Sequence, residues 1–465
     1  MSALSEKNNS ELPKETSDVT TTPTRSSDKK LTKQQIILNK ITSIDDFIRL
    51  CDTRGCFMGM EPKESDHRIT IDSPYTTQDA RDIRDLFEIT YRGTYPYLEM
   101  LDLEYLINTF FEDKFEWIVF RLDDENSPDR GKIIGSWLWV IDYDQRSAYN
   151  RGFNLLPKYH GKLPLLNLTY RAYRPLMIKL KGKIDKWYNE SRTAHAKSQF
   201  LSHGGGAHTD ALFMNKDYFM GKKESDVMMV AFYEDGMKAR RKPETLLPEV
   251  APFYVHASKN HGLEVESTVE MGTITPKIDP VQVHRVLSGA ELLMDCDQYG
   301  YIRFTLSDPM TGSTIKGLHT TTVQNIEKLK VECEDPSVLM GLWYRLKQYA
   351  KSQKIEYMEC ILPASALTSQ KVLLSMGMAV EGYVPCWMLC EGLQKYEDAV
   401  VLGWSQQPVD EGSMRLTPEG RGLLKKLDRE VMAPEGSKSV HYGKSKAPNF
   451  VMHPKPLHEK VVNHT

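Results

Sequence analysis

The stretch Gly131-Lys-Ile-Ile-Gly-Ser-Trp-Leu-Trp-Val-Ile141 has the composition of an apolar β-strand. A second apolar strand, Gly300-Tyr-Ile-Arg-Phe-Thr-Leu306, follows at an offset of roughly 170 residues. Beyond each strand lies an amphipathic segment opened by a proline, Pro164 in one case and Pro336 in the other. Proline is favourable at the start of a helix because its missing N–H would be unpaired there. Self-similarity of this kind predicts two copies of one folding unit.

Two further pairs of segments repeat in the same order. The first pair is a short helix ended by a glycine: Ser198-Gln199 is followed by Gly206, and Ser369-Gln370 by Gly377. The second pair is an apolar strand, found at Glu224–Phe232 and again at Glu397–Trp404. A glycine at a helix end is typical because a left-handed backbone costs it little. The matches keep a nearly constant offset, which strengthens the prediction of a tandem repeat.

The alternation of strands and single helices predicts an α/β fold with two tandem units, each a mixed twisted sheet flanked by helices. The predicted segments are a disordered tail (1–33), a docking helix and linker (34–64), the first unit (65–260), the second unit (261–405) and a mostly disordered tail (406–465). In the first unit we predict strands near 67–72, 116–122, 132–141, 147–156, 208–214 and 226–233. The helices of that unit are predicted near 78–92, 102–112, 165–181 and 196–203.

Composition and charge restrict the class of protein. The 465 residues carry a formal net charge of −3, which argues against a nucleic-acid-binding domain. No apolar run approaches the roughly 18 residues that span a bilayer, and we expect a cytoplasmic protein without a membrane partner. The seven cysteines form no Cys-x-x-Cys pair, which favours reduced thiols.

Three stretches of the first unit form a further pattern: Tyr91-Arg-Gly-Thr-Tyr-Pro96, Asn154-Leu-Leu-Pro-Lys-Tyr-His-Gly-Lys162 and Ala194-His-Ala-Lys-Ser-Gln199. Together they resemble the GNAT superfamily of CoA-dependent N-acyltransferases. The first stretch is similar to a branch that includes enzymes acting on small amines such as β-lysine. The resemblance implies direct transfer of a short acyl group from acetyl-CoA, or another short acyl-CoA, to a primary amine of a small molecule or peptide.

The resemblance implies where CoA binds. The residues are Leu155, Leu156, Lys158, His160, Gly161, Lys162, Ser198 and Gln199. Pyrophosphate is held by converging backbone N–H groups where a helix begins. The family's loop places glycines where this chain has Leu163 and Leu165, so a non-catalytic binding or scaffold protein remains an alternative. An open V between the strands near 150–156 and 190–194 favours catalysis, and a filled V favours a scaffold. An interaction protein that uses its charged tails is a third hypothesis.

His195 and Tyr95 are the predicted catalytic residues, because the resemblance places them beside the acyl cleft and at the acceptor site. The alternative bases, Asp142, Asp144 and Glu99, are better explained as solvated loop acids. In the second unit the corresponding loop, Glu327–Pro336, is acidic, so we expect no CoA there and a role in covering the first unit or shaping the acceptor site.

Histidines also cluster near the glycine-rich end of a short helix. His203, His208 and Asp210 straddle that helix end and the following strand, which does not imply ligands on one face. We therefore predict no metal.

Overall fold

The structure is a computed structural model that describes residues 41–54, 67–265, 270–390, 392–427 and 459–461. The predicted tail at 1–33 and most of the predicted segment 34–64 lie outside these residues. Eleven α-helices and one large mixed sheet occupy the described part of the chain, which confirms the α/β prediction.

The first half contains seven strands and five helices. In chain order they are α1 (Ile44–Arg54), β1 (Ile69–Asp72), α2 (Thr77–Tyr91), α3 (Leu103–Thr109), β2 (Phe115–Leu122), β3 (Ile133–Asp142), β4 (Ser147–Leu155), α4 (Leu165–Leu180), β5 (Lys186–Arg192), α5 (Lys197–Gly204), β6 (His208–Phe219) and β7 (Lys222–Phe232). Short elements then lead to the second half: α6 (Glu234–Lys238), β8 (Arg240–Arg241), β9 (Thr245–Leu246), α7 (Ala251–Asn260) and β10 (Glu270–Met271).

In the second half, and in the segment after it, strands again alternate with helices. Their elements are α8 (Pro280–Gly289), β11 (Glu291–Cys296), β12 (Tyr301–Ser307), β13 (Thr314–Thr320), β14 (Asn325–Glu332), α9 (Pro336–Ser352), β15 (Tyr357–Pro363), α10 (Leu367–Ser375), β16 (Ala379–Cys390), β17 (Lys395–Ser405), α11 (Pro418–Leu424) and β18 (Glu459–Val461). The predicted proline-led helices are confirmed, since Pro164 caps α4 and Pro336 begins α9.

The two halves have the same strand order. The first half runs β1-β2-β3-β4-β5-β7-β6 and the second β11-β12-β13-β14-β15-β17-β16. In each half one neighbouring pair is parallel, β4 with β5 and β14 with β15, and the other pairs within that order are antiparallel. A helix, α4 or α9, connects the two strands of each parallel pair, as a parallel connection requires.

The halves join edge to edge through β6 and β16, which pair antiparallel at Ala211↔Gly382. A Cβ at Gly382 would lie 2.4 Å from the Cβ of Ala211 and 2.4 Å from the carbonyl oxygen of Asp210. The adjacent Glu381 is fully buried, and it accepts hydrogen bonds from the Met214 N–H at 3.1 Å and the Tyr357 hydroxyl at 2.7 Å. Joining there removes two exposed sheet edges.

Strand β5 begins at Lys186, ahead of the strand that the sequence predicts near 190–194. Its sequence, Lys186 to Arg192, is polar, and Lys186 at its start is 2% exposed. The Lys186 ammonium lies 4.3 Å from the ring centre of Tyr396 and 5.5 Å from that of Trp387. These aromatic faces from the second half accommodate the charge, and burial lowers the pKa of Lys186 to about 8.

The segment after β17 packs against the first half as far as residue 427, where the sequence predicts a mostly disordered tail from 406. The Arg415 N–H bonds to the Thr193 carbonyl at 2.7 Å. Helix α11 begins at Pro418, where the Thr417 side chain caps it. Residues 428–458 and 462–465 lie outside the described residues. Within the described chain, no helix combines the length and apolar character needed to cross a bilayer.

Candidate active site

The parallel strands β4 and β5 separate part of the way along their length. They pair from Ser147↔Lys186 to Tyr149↔Tyr188, and β4 then continues to Leu155 and β5 to Arg192. The corresponding strands of the second half, β14 and β15, stay paired as far as Leu329↔Cys360. The predicted V near 150–156 and 190–194 is therefore open in the first half.

A cavity of about 1130 Å³ occupies this opening. Its walls come from β4, β5, the starts of α4 and α5, and three tyrosines of the segment 91–97. Strands β12 to β14 of the second half line the far end. A volume of this size is typical of sites for small molecules and cofactors.

A β-bulge in β4 faces β3 beside the cavity. Leu138 pairs with Arg151 and Ser136 pairs with Asn154, so two residues of β4 lie opposite Trp137. Gly152, one of the two, has φ +64°, a conformation that favours glycine. A bulge releases backbone groups from the ladder, and both bulge residues, Gly152 and Phe153, line the cavity.

The start of α4 forms the outer end of the cavity. A short 3-10 turn, Pro157–Tyr159, leads to Gly161, which has φ +75° and open space where a Cβ would lie. Helix α4 then begins at Leu165. The first N–H groups of a helix carry partial positive charge and attract anions. In α4 the Leu165 N–H already donates to the Leu163 carbonyl at 2.8 Å, so an anion here would rely on the N–H groups that follow.

The structure brings half of the predicted cofactor residues to the cavity. Those that line it are Leu155, His160, Gly161 and Ser198, and those outside the lining are Leu156, Lys158, Lys162 and Gln199. The Lys158 ammonium is paired with Asp129. Gln199 is fully buried, where its amide N–H₂ donates to the Arg415 carbonyl at 2.9 Å and its amide oxygen accepts from the Thr417 N–H at 3.1 Å.

Two buried polar atoms on opposite walls have no hydrogen-bond partner within the described chain. They are the Nδ2 of Asn154 on β4 and the Oγ of Ser198 on α5. A buried amide donor without an acceptor is costly unless a ligand satisfies it. The amide groups of a pantetheine chain offer acceptors and donors of that kind, so the residues present fit an extended CoA arm between the two walls.

His195 and Tyr95 both line the cavity. His195 lies on the rim, and desolvation, with smaller contributions from the charges of Arg192 and Lys197, lowers its pKa. The imidazole is therefore neutral at pH 7. Tyr95 is buried, and its ring centre lies 4.5 Å from that of Tyr91. Burial raises the pKa of Tyr95, so its hydroxyl keeps its proton.

The inner end of the cavity contains carboxyl groups that the sequence analysis did not single out. Asp217 accepts a hydrogen bond from the Tyr97 hydroxyl at 2.6 Å. Asp226, on β7, is 2% exposed, and its Oδ1 has no hydrogen-bond partner in the described chain. Burial, followed by the charges of Asp217 and Glu190, raises the pKa of Asp226 well above its usual range. In the sequence, the signal that could have identified Asp226 is its acidic side chain within the apolar strand Glu224–Phe232.

The second half contributes to this inner end through hydrogen bonds across the cavity. The Tyr301 hydroxyl donates to Glu99 at 2.7 Å, and the Tyr299 hydroxyl donates to Asp102 at 2.8 Å. Glu99 also forms an ion pair with Arg151 at 3.1 Å. Both tyrosines line the cavity together with Glu327 and Lys328 from β14.

The three alternative bases, Asp142, Asp144 and Glu99, differ in their exposure and in whether they line the cavity. Asp142 and Asp144 are exposed and do not line the cavity, and Asp142 accepts the Gln145 N–H at 2.9 Å. Glu99 lines the cavity but is 4% exposed and already bonded to Arg151 and Tyr301. These positions favour Asp226 and His195 over all three acids.

Of the predicted histidine cluster, His203 and His208 lie together with Glu419, and these three side chains are grouped closely enough to share one metal ion. Asp210 instead lies 2.9 Å from the Nε2 of His261.

No protein-family model and no curated protein matches this chain. Several solved structures match part of it. One is a chimera of the spermidine N-acetyltransferase SpeG from Vibrio cholerae and hSSAT, 22% identical, which covers 35% of this chain and 95% of its own, with a TM-score of 0.29. Another is SpeG from Vibrio cholerae in complex with manganese ions, 19% identical, covering 36% of this chain and 92% of its own, also with a TM-score of 0.29.

Proposed function

We propose that the chain is an acyl-CoA-dependent N-acyltransferase, most simply an N-acetyltransferase, that acts in the cleft of its first half. The observation that carries the proposal is the separation of β4 from β5 after Tyr149↔Tyr188, which leaves an open cavity where the sequence analysis expects the acyl donor. A scaffold protein needs no such opening, and the equivalent strands of the second half stay paired further along.

The acyl donor would lie along the parting strands. Its pyrophosphate would sit at the start of α4 beside Gly161, where the positive end of the helix dipole favours an anion. The pantetheine arm would pass between Asn154 and Ser198, whose buried polar atoms lack partners in the described chain. The thioester would then reach the bulge at Gly152, where a released backbone N–H polarises its carbonyl.

The inner end of the cavity would receive the amine. Asp226 lines this end with one oxygen that has no partner in the described chain, so we take it as the group that accepts the proton of the attacking amine. Tyr95, which keeps its proton, is the candidate donor to the departing thiolate. His195, neutral on the rim, is the alternative base and supports proton transfer to solvent. Attack is direct, with no acylated side chain.

The repeated strand order supports two tandem units with unequal roles. In this proposal the first unit, 65–260, is the active GNAT-like unit. The second, 261–405, is a degenerate copy that closes the acceptor end through Tyr299 and Tyr301. The acceptor is a primary amine on a small molecule or peptide, because the carboxyl groups and tyrosine rings at that end attract a cation.

Calorimetric titration with acetyl-CoA and desulfo-CoA tests the proposal. We expect micromolar binding of both, and at least a tenfold loss in Gly161→Asp, because a carboxylate then faces the pyrophosphate. Gly182→Asp is the matched control, since Gly182 is also exposed, has φ +80° and has open space at its Cβ, but does not line the cavity. Absence of binding to the wild-type protein would leave the scaffold alternative as the account of the cleft.

A further inference from the structure

A second cluster of reactive side chains lies outside the cavity. His203 stands at the end of α5, His208 begins β6, and Glu419 lies in α11. The Nδ1 of His208 is 2.9 Å from the Glu419 Oε1, and the Nε2 of His203 is 3.3 Å from the same oxygen. One ligand atom from each residue lies within 4.8 Å of the other two.

The two distances to the Glu419 oxygen, 2.9 and 3.3 Å, are close to the spacing of neighbouring metal ligands. Zinc binds imidazole nitrogen and carboxylate oxygen at about 2.0–2.1 Å with tetrahedral angles, which places neighbouring ligand atoms about 3.3 Å apart. Two imidazoles and one carboxylate form a frequent ligand set for zinc, and water completes the coordination. Small movements of the His208 and Glu419 side chains would therefore suffice to admit the ion.

Hydrogen bonds to the backbone already orient His208 and Glu419, two of the three proposed ligands. The Nε2 of His208 lies 3.2 Å from the carbonyl oxygen of Ile41, and the second oxygen of Glu419 accepts the Thr209 N–H at 3.1 Å. A metal-binding histidine usually donates its other N–H to a carbonyl or carboxylate in this way.

The burial of the cluster adds a third argument. His203 is 8% exposed and His208 is 3% exposed, and the Nδ1 of His203 has no hydrogen-bond partner in the described residues. Buried charges in proteins are paired or coordinate metals, and the Glu419 carboxylate is held between these two buried imidazoles.

From this geometry we propose that His203, His208 and Glu419 bind a zinc ion that fastens the segment after β17 to the first half. Glu419 belongs to α11, and the residues just before that helix hold Gln199 of α5 through Arg415 and Thr417. Because α5 is a wall of the cavity, the ion would also stabilise one side of the acyl-donor cleft. The proposal does not depend on the acyltransferase assignment.

The test uses the full-length protein without an affinity tag, purified without chelator. Elemental analysis should find about one zinc per chain, and the chelator-stripped protein should regain one zinc in competition with a chromophoric chelator. Cobalt bound in place of zinc should give the visible absorption of a tetrahedral site, and zinc should raise the Tm of the stripped protein. Stripped wild-type protein that takes up neither metal would overturn the proposal, and this readout needs no variant.

Variants then assign the ligands. Glu419→Gln and His203→Asn should weaken zinc binding by more than the 10–100-fold typical of losing an outer partner. The control is His284→Asn, since His284 is exposed and lies outside the cluster, and it should bind zinc as the wild-type protein does. Zinc affinity that is unchanged in both ligand variants would place the ion elsewhere and contradict the assignment.

Discussion

Asp226 is a buried carboxyl group at the inner end of the cavity, with one oxygen that has no hydrogen-bond partner in the described residues. Structural carboxylates in this protein are paired, as Glu224 is with Arg192 at 2.7 Å. An unpaired buried carboxyl group is unfavourable for folding, and such groups concentrate at functional sites. The sequence shows only an acid inside an apolar strand, so the burial and the missing partner had to come from the structure.

Replacing Asp226 with Asn should abolish most acyl transfer without weakening the fold. Loss of a general base costs about 10²–10⁴-fold in rate, and the amide keeps the size and shape of the carboxyl group. We expect a fall in kcat with an unchanged Kd for acetyl-CoA and an unchanged or higher Tm. Asp142→Asn, at an exposed acid outside the cavity, is the control. Full activity in Asp226→Asn would remove this residue from the proposed mechanism.

Glu381 is a buried carboxyl group whose pKa burial raises to about 8. The folded protein keeps this proton up to that pH, whereas the unfolded chain releases it near its usual value of 4.5. The folded state then binds more protons, so this group's contribution to stability falls as pH rises from 5 to 8, by about 1.4 kcal/mol per pH unit.

The variant Glu381→Gln should lack this pH dependence. We expect its free energy of unfolding, relative to the wild-type protein, to increase steadily between pH 5 and pH 8 in denaturant titrations. Glu291→Gln, at an exposed glutamate, should show a constant difference over the same range. Parallel profiles for the wild-type protein and Glu381→Gln would mean that Glu381 titrates normally in the fold.

At the scale of the elements, the contact between β6 and β16 depends on a glycine. The Cβ of an alanine at Gly382 would meet the Ala211 Cβ and the Asp210 carbonyl oxygen at 2.4 Å each. Backbone atoms cannot move aside as flexible side chains do, so the two strands would have to separate. Overpacking of this kind costs about 1–3 kcal/mol.

We therefore expect Gly382→Ala to lower the free energy of unfolding by about 1–3 kcal/mol, measured by urea titration. Gly289→Ala is the control, because Gly289 ends α8 and a Cβ there meets nothing within 4 Å. Equal stability of the two variants would show that the junction is looser than the structure describes.

How far the sequence predicts this structure also depends on the element. Four helices and four strands of the first half were predicted close to their observed bounds, because hydrophobic periodicity and proline positions are local signals. Strand β6 runs five residues beyond the predicted 208–214, and β7 begins four residues before the predicted 226–233. For β5 the sequence indicated only a strand near 190–194, because Lys186 at its start is buried by Tyr396 and Trp387, which lie far away in sequence. The cleft position was predicted from the resemblance, while Asp226 became visible only through its packing.

At the scale of the whole molecule, the second half completes the cavity of the first. Tyr299 and Tyr301 cross to Asp102 and Glu99, and the Lys216 ammonium of β6 pairs with Glu327 and Glu359 of β14 and β15. These polar contacts place the carboxyl-rich end of the cavity between the two halves. We therefore expect the specificity for the acceptor to depend on residues from both halves of the chain.

Removing the Tyr301 hydroxyl in Tyr301→Phe should affect the acceptor and not the acyl donor. The lost hydrogen bond to Glu99 is worth about 1 kcal/mol, so we expect a several-fold higher KM for the amine and an unchanged Kd for acetyl-CoA. Tyr344→Phe, at a half-exposed residue of α9, should behave as the wild-type protein. An altered acetyl-CoA affinity in Tyr301→Phe would place the donor, and not the acceptor, at this end.

The crystal structure of the full chain with bound acetyl-CoA tests the central claim most directly. The account predicts the pantetheine arm between β4 and β5, the pyrophosphate beside Gly161 at the start of α4, and the acetyl group at the Gly152 bulge. Acetyl-CoA bound at another surface, or a cleft without ligand at saturating concentration, would contradict the account.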